Sequence, residues 1–180
     1  NESIDLAIPR GGESLIRRVA EKASMPVIKH FNGNCHVYVD KDADSEKAIA
    51  IAVNSKCHRL GVCNAAESIL IHESIADEFL PLLGKQLSEN DIEIRGDEAV
   101  CQIINTATLA TDEDFEKEYL DAIVSIAIVE DLNAAIMHIN RFGSGHTDAI
   151  VSENASTIQQ FSNQVDTAAV MINASTRFND

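Results

Sequence analysis

Two spacings of apolar residues alternate along the chain. Short runs rich in Val and Ile are separated by stretches whose apolar side chains return every three or four positions, the marks of buried strands and amphipathic helices. Ile4 to Pro9 reads as a strand and Glu13 to Ala23 as a helix with Leu15, Val19, Ala20 and Ala23 on one face. Pro26 to Lys29 is a short strand, Asn32-Gly33 a turn, and Cys35 to Asp40 another strand. Asp44 or Ser45 caps a helix running to about His58. Ser68 to His72 is an apolar strand and Ser74 to Glu89 a helix containing Phe79, Leu80, Leu82 and Leu83. Pro81 lies too deep in that helix to be a first-turn proline, which predicts a kink or a later start. Asp91 to Arg95 alternates as a strand, and residues 99–120 follow neither rhythm.

The last third is more regular. Strands are predicted at Ile123 to Val129, Asp148 to Val151 and Ala168 to Asn173, with helices at Leu132 to Phe142 and Asn154 to Val165. Val- and Ile-rich strands separated by helices of about a dozen residues indicate an α/β fold, a mostly parallel sheet with flanking helices. Both ends of the chain read as cut ends, and no glycine-rich dinucleotide fingerprint follows a strand; Gly11-Gly12 alone is not one.

With 180 residues, 45% hydrophobic and 24% charged, the chain suits one ordinary domain with a sizeable core. No apolar run approaches the roughly 20 residues that cross a bilayer, and the first residues lack the pattern of a secretory signal, so a cytoplasmic protein with no membrane partner is expected. The net charge of −15 argues against nucleic acid, which calls for clustered Lys and Arg. It also means that an enzyme handling phosphates would need positive charge that this chain barely shows, or backbone N–H groups in its place. No group of residues has metal-ligand spacing. The four cysteines, Cys35, Cys57, Cys63 and Cys101, form no Cys-x-x-Cys pair and read as free thiols.

Free cysteines are most often packing residues. Cys35 opens an apolar strand, Cys57 lies within a helix and Cys101 in an apolar stretch, so all three read that way. Cys63 differs, because Gly61-Val62-Cys63-Asn64-Ala65-Ala66-Glu67 is a connection of mostly small residues that lets a substrate approach closely. A turn there would present N–H groups to developing negative charge, as acyl transfer to a thiolate requires. Among His36, His58, His72 and His146, spacing selects no base.

Five segments occur in register: Ile8-Pro9-Arg10-Gly11-Gly12, Cys35-His36-Val37-Tyr38-Val39-Asp40, Val62-Cys63-Asn64-Ala65, Gly145-His146-Thr147-Asp148-Ala149-Ile150 and Asn173-Ala174-Ser175-Thr176-Arg177-Phe178. Together they resemble the gamma-glutamyl phosphate reductase family, a branch of the aldehyde dehydrogenase superfamily acting in proline biosynthesis. The resemblance implies an aldehyde dehydrogenase-like catalytic domain over 34–180, with 1–33 the tail end of an NADPH-binding domain. It implies reduction of L-glutamyl 5-phosphate by NADPH to glutamate-5-semialdehyde and phosphate, through a thioester on Cys63. As an isolated piece the chain is expected to be inactive. A homo-oligomer is also implied.

Ordinary aldehyde dehydrogenases carry a glutamate base about thirty residues before the cysteine. Here that place holds Phe31, which favours a thioester that survives until hydride arrives. By the same resemblance Glu118 matches the glutamate that binds the nicotinamide ribose; the competing reading is a solvated acid among Glu113, Asp114 and Glu116. Arg177, at the end of a strand, would pair with the substrate α-carboxylate, unless it is an ordinary surface arginine. Asn173 and Ser175 would assist as donors, and His146 would touch substrate or brace its strand. Two alternatives stand beside this reading: an acyl-coenzyme A or aldehyde dehydrogenase of the same superfamily, and a non-catalytic structural or regulatory module, for instance one fused to a glutamate kinase.

Overall fold

A computed structural model describes residues 3–29 and 32–179, with the side chain of Glu13 excepted. The chain divides into two compact units, Asn1–Asn32 and Gly33–Asp180. In the first, helix α1 spans Glu13–Lys22, near its predicted bounds, but its buried residue among those described is Ile16, while Leu15, expected on the apolar face, is exposed. The two strands expected around it do not form. Ala7 and Val27 make a single parallel bridge, with Ala7 N–H on the Pro26 carbonyl and Ile28 N–H on the Ala7 carbonyl, both at 3.0 Å. Ile4, Ile8 and Ile28 stay more than half exposed, so the pairing buries too little apolar surface to extend.

The second unit is a seven-stranded, all-parallel sheet with helices on both faces. Its strands are β1 (Cys35–Val39), β2 (Ala66–His72), β3 (Glu93–Gly96), β4 (Thr108–Leu109), β5 (Ile123–Val129), β6 (Thr147–Val151) and β7 (Ala169–Ile172), in the order β4-β3-β5-β2-β1-β6-β7. Central strands are apolar on both sides because both faces are covered. Val37 and Val39 of β1, with Ile69 and Ile71 of β2, enter one core; Tyr38 and Leu70 enter the other. The first core is closed by α2 (Ser45–Cys57), α3 (Glu73–Glu89) and α4 (Glu98–Ile103), through Ala48, Phe79, Leu83 and Val100. The second is closed by α5 (Asp112–Glu116), α6 (Leu132–Phe142) and α7 (Ala155–Gln164), through Phe115, Ile136, Ile139 and Phe161.

Caps explain the helix starts. Asp44, not Ser45, caps α2, its carboxylate accepting from Lys47 N–H at 2.9 Å, and Asn154 caps α7. Helix α3 neither starts late nor breaks at Pro81, which lies on its exposed side while Phe79, Leu80 and Leu83 are buried. After α3 the chain turns through Asp91 in the left-handed region (φ 57°), which delays β3 to Glu93. Strand β2 starts earlier than its apolar run suggests. Cys35 pairs with Ala66 but His36 with Ser68, so Glu67 is an extra residue in the β1–β2 ladder.

Candidate functional site

Cys63 lies in the turn that joins α2 to β2, at the amino end of the parallel sheet, and it is exposed. The turn closes with Ala65 N–H on the Val62 carbonyl at 3.0 Å, so that amide is already spent. Two neighbours fix the backbone of Cys63. Cys35 donates its thiol to the Cys63 carbonyl at 3.2 Å. Gly33 packs so tightly against the same peptide that a Cβ on it would stand 1.9 Å from the Cys63 oxygen. Only glycine fits there. Gly33 N–H in turn donates to Glu118 Oε1 at 2.8 Å, which puts Glu118, half-buried, beside the cysteine loop.

A second chain of polar contacts reaches the loop from the other side. Asn64 Nδ2 donates to the Asn179 carbonyl, and Asn179 Nδ2 donates to Thr147 Oγ1 at 2.6 Å. Thr147 Oγ1 and His146 Nδ1 are 2.7 Å apart. Strand β7 runs parallel to β6, yet the segment after it is carried back to the amino end of the sheet. Arg177 therefore sits between Ser175, which meets Ser55 near the end of α2, and Asn179, which meets the first residue of β6. Its Nε is buried without a hydrogen-bond partner among the described residues. The rule that α/β sites form at carboxyl ends of strands does not describe this one.

The other predicted donors also brace the chain, each with donor capacity left over. Asn173, at φ 49°, accepts from Ser152 N–H at 3.0 Å and donates to the Ser152 carbonyl at 2.9 Å. Ser175 is buried, its Oγ 3.1 Å from Ser55 Oγ and accepting from Arg177 N–H at 3.2 Å. Both side chains hold the returning segment in place. Of the histidines, buried His36 meets Asp148 at 3.2 Å and His72 Nδ1 accepts from Ser74 N–H at 3.1 Å. The Phe31 position lies outside the described residues.

Electrostatics separate the thiols. Burial pushes the Cys35 thiol far up, and the nearby Asp148 carboxylate adds to it; burial also raises Cys57. Beneath the loop lies a fully buried ion pair that sequence reasoning did not single out, Lys56 Nζ to Glu67 Oε2 at 2.6 Å. Glu67 Oε1 also accepts from Leu120 N–H at 3.1 Å. Burial pushes the Glu67 carboxyl up to about 7, and the Lys56 ammonium limits the rise. The available signal was a glutamate just before an apolar strand run; its partner, a lysine in the last turn of a helix, gave none. Among the described residues no group of His, Cys, Asp and Glu could hold a metal ion, and no helix is long and apolar enough to cross a membrane.

Residues 1–117 match the family model described as the aldehyde dehydrogenase family. The chain belongs to this family. Within the aldehyde dehydrogenase family it is 56% identical, over all 180 residues, to the gamma-glutamyl phosphate reductase of Rhodopirellula baltica, and 51% identical to that of Clostridium beijerinckii. It spans 42% and 44% of those relatives, less than half of their length. Among solved structures, the gamma-glutamyl phosphate reductase of Thermotoga maritima superposes with a TM-score of 0.96 at 44% identity, over 99% of this chain and 43% of that one. The acetylating aldehyde dehydrogenase of Geobacillus thermoglucosidasius, 21% identical with a TM-score of 0.72 over 96% of this chain and 46% of that one, shares the fold.

Proposed function

We propose that this chain is the cysteine-bearing part of a gamma-glutamyl phosphate reductase, with Cys63 as its nucleophile. The observation that carries the reading is the exposed Cys63 on a peptide locked by Gly33, Cys35 and Glu118, whose neighbour Asn64 is hydrogen-bonded to the segment that carries half-buried Arg177. Identity of 56% to a named reductase, over all 180 residues of this chain, supports the substrate class.

The chemistry follows from these residues. The Cys63 thiolate attacks the acyl carbon of glutamyl 5-phosphate; a C–S bond forms, the C–O bond to phosphate breaks, and phosphate leaves. Bound NADPH, its ribose held by Glu118, would supply the hydride that takes the thioester to the thiohemiacetal anion. Collapse of that anion would break the C–S bond, return the Cys63 thiolate and release the aldehyde. Arg177 pairs with the substrate α-carboxylate, and His146 stands near the same segment. Asn173 and Ser175 hold that segment, and the Ser175 hydroxyl and the second Asn173 N–H are the donors they would offer substrate. Glu118 suits the nicotinamide ribose: a half-buried carboxylate fixed through one oxygen can accept from a hydroxyl at the other. Among the described residues no glycine-rich phosphate cradle follows a strand. A cytoplasmic homo-oligomer completes the reading.

The decisive experiment runs the reaction backwards in the protein that carries this chain. Phosphate-dependent reduction of NADP⁺ by glutamate-5-semialdehyde is expected, and Cys63→Ala should abolish it. Activity that survives the substitution removes Cys63 from the mechanism. A preference for short aldehydes or coenzyme A over phosphate replaces the substrate class instead.

A further inference from the structure

The cysteine loop, the end of α2 and the segment before β5 meet at one buried side chain. Glu67 occupies the extra position of the β1–β2 ladder, where a bulge re-aims a side chain that regular pairing would send elsewhere. It is four residues beyond Cys63, fully buried, and uses both oxygens: one on Lys56 Nζ, the other on Leu120 N–H. Leu120 is in the left-handed region, at φ 53°, a conformation that a leucine keeps only when its surroundings impose it. Two residues earlier on the same segment, Glu118 holds Gly33 against the Cys63 peptide. Tyr119, between them, is fixed separately by Asp114 and Ser125.

We infer that Glu67, neutralised by Lys56, is a positioning residue that sets the Leu120 turn and through it the placement of Glu118 and Gly33 against the Cys63 peptide. This inference rests on the reading of Cys63 as nucleophile and of Glu118 as the ribose ligand. Lys56 makes the arrangement possible by compensating a carboxylate that the core would otherwise expel or protonate. The information-bearing contact is the acceptor offered to Leu120 N–H, and not the charge.

Two double variants of the protein carrying this chain isolate that contact. Lys56→Met/Glu67→Leu removes the ion pair and the acceptor; Lys56→Met/Glu67→Gln removes the ion pair and keeps an amide oxygen for Leu120. Neither leaves a lone buried charge. The measurements are the alkylation rate of Cys63, read by peptide mass spectrometry with Cys57 and Cys101 as internal references, and NADPH affinity by fluorescence titration. The Leu double variant should change the Cys63 rate and weaken NADPH by about tenfold or more, and the Gln double variant should restore both to within about twofold. In a Glu118→Gln background the Leu double variant should add little further. Folded variants that both match the wild type overturn the inference, as do variants impaired equally. If the Leu variant does not fold, the Gln variant and the Glu118→Gln background still decide, because a Gln variant as damaged as Glu118→Gln puts the effect in the charge pair. Loss of the nucleophile reading is a separate result, seen as Cys63→Ala activity in the otherwise unaltered protein.

Discussion

Burial sorts the four thiols. Cys63 is exposed, Cys57 and Cys101 are intermediate, and Cys35 is fully buried, with its thiol raised by burial and by Asp148. Iodoacetamide near neutral pH should therefore modify Cys63 at least about tenfold faster than Cys35, with Cys57 and Cys101 between them; Cys35 reacting first would contradict the arrangement. Gly33 gives a sharper test. Because a Cβ would overlap the Cys63 oxygen, Gly33→Ala should displace the loop, costing about 1–3 kcal/mol in a urea titration and altering the Cys63 alkylation rate. Sequence reading singled out Cys63 because small residues surround it, and it proposed Asn173 and Ser175 as substrate donors. Their polarity was visible; that Ser152 and Ser55 hold them was not, since those partners come from distant parts of the chain.

At the level of elements, regular spacing was a good guide wherever a helix or strand presents whole turns or a complete run to a core. Strand β5 and helix α6 fall where the pattern puts them, since both are fixed by apolar faces long enough to read. The stretch 99–120 resisted because its pieces are minimal: α4 has six residues, β4 two and α5 five. Such pieces persist through side-chain contacts, including Asp114 closing a capping box with Thr111 and meeting Arg95. Helix α3 shows the opposite, a local rule overridden by packing. Its buried face of Phe79, Leu80, Leu83 and Leu87 holds the helix through Pro81 despite the lost N–H donor. As Pro81 is on the exposed side, Pro81→Ala should restore a backbone bond and stabilise the protein, by up to about 3 kcal/mol. A urea midpoint that does not rise would show that the proline relieves a strain the helix otherwise carries.

For the whole molecule, acid sensitivity has an identifiable source in the layer between sheet and helices. His138 of α6 packs against Phe115 and Phe142, and its Nε2 is buried without a hydrogen-bond partner among the described residues. Burial, then repulsion from His36 and Arg141, lowers it from 6.5 to about 3. The unfolded chain binds this proton more readily, so the stabilising contribution is complete above pH 6.5 and declines as pH falls towards 3. The decline approaches about 1.4 kcal/mol per pH unit. His138→Phe should flatten that part of a stability–pH curve; an unchanged slope assigns it to other groups. The strand order has a different consequence, for a chain emerging from the ribosome. β1 and β2 can pair as soon as both are made, but the other edge of β2 waits for β5, and β3 and β4 have no place in the sheet until β5 separates them from β2. Through that interval the apolar edge of Ser68–His72 is an open template for a neighbouring chain. Nascent chains that stall before Ile123–Val129 should thus be the ones that aggregate or recruit chaperones, and release should come with completion of a strand that carries no part of the cysteine site.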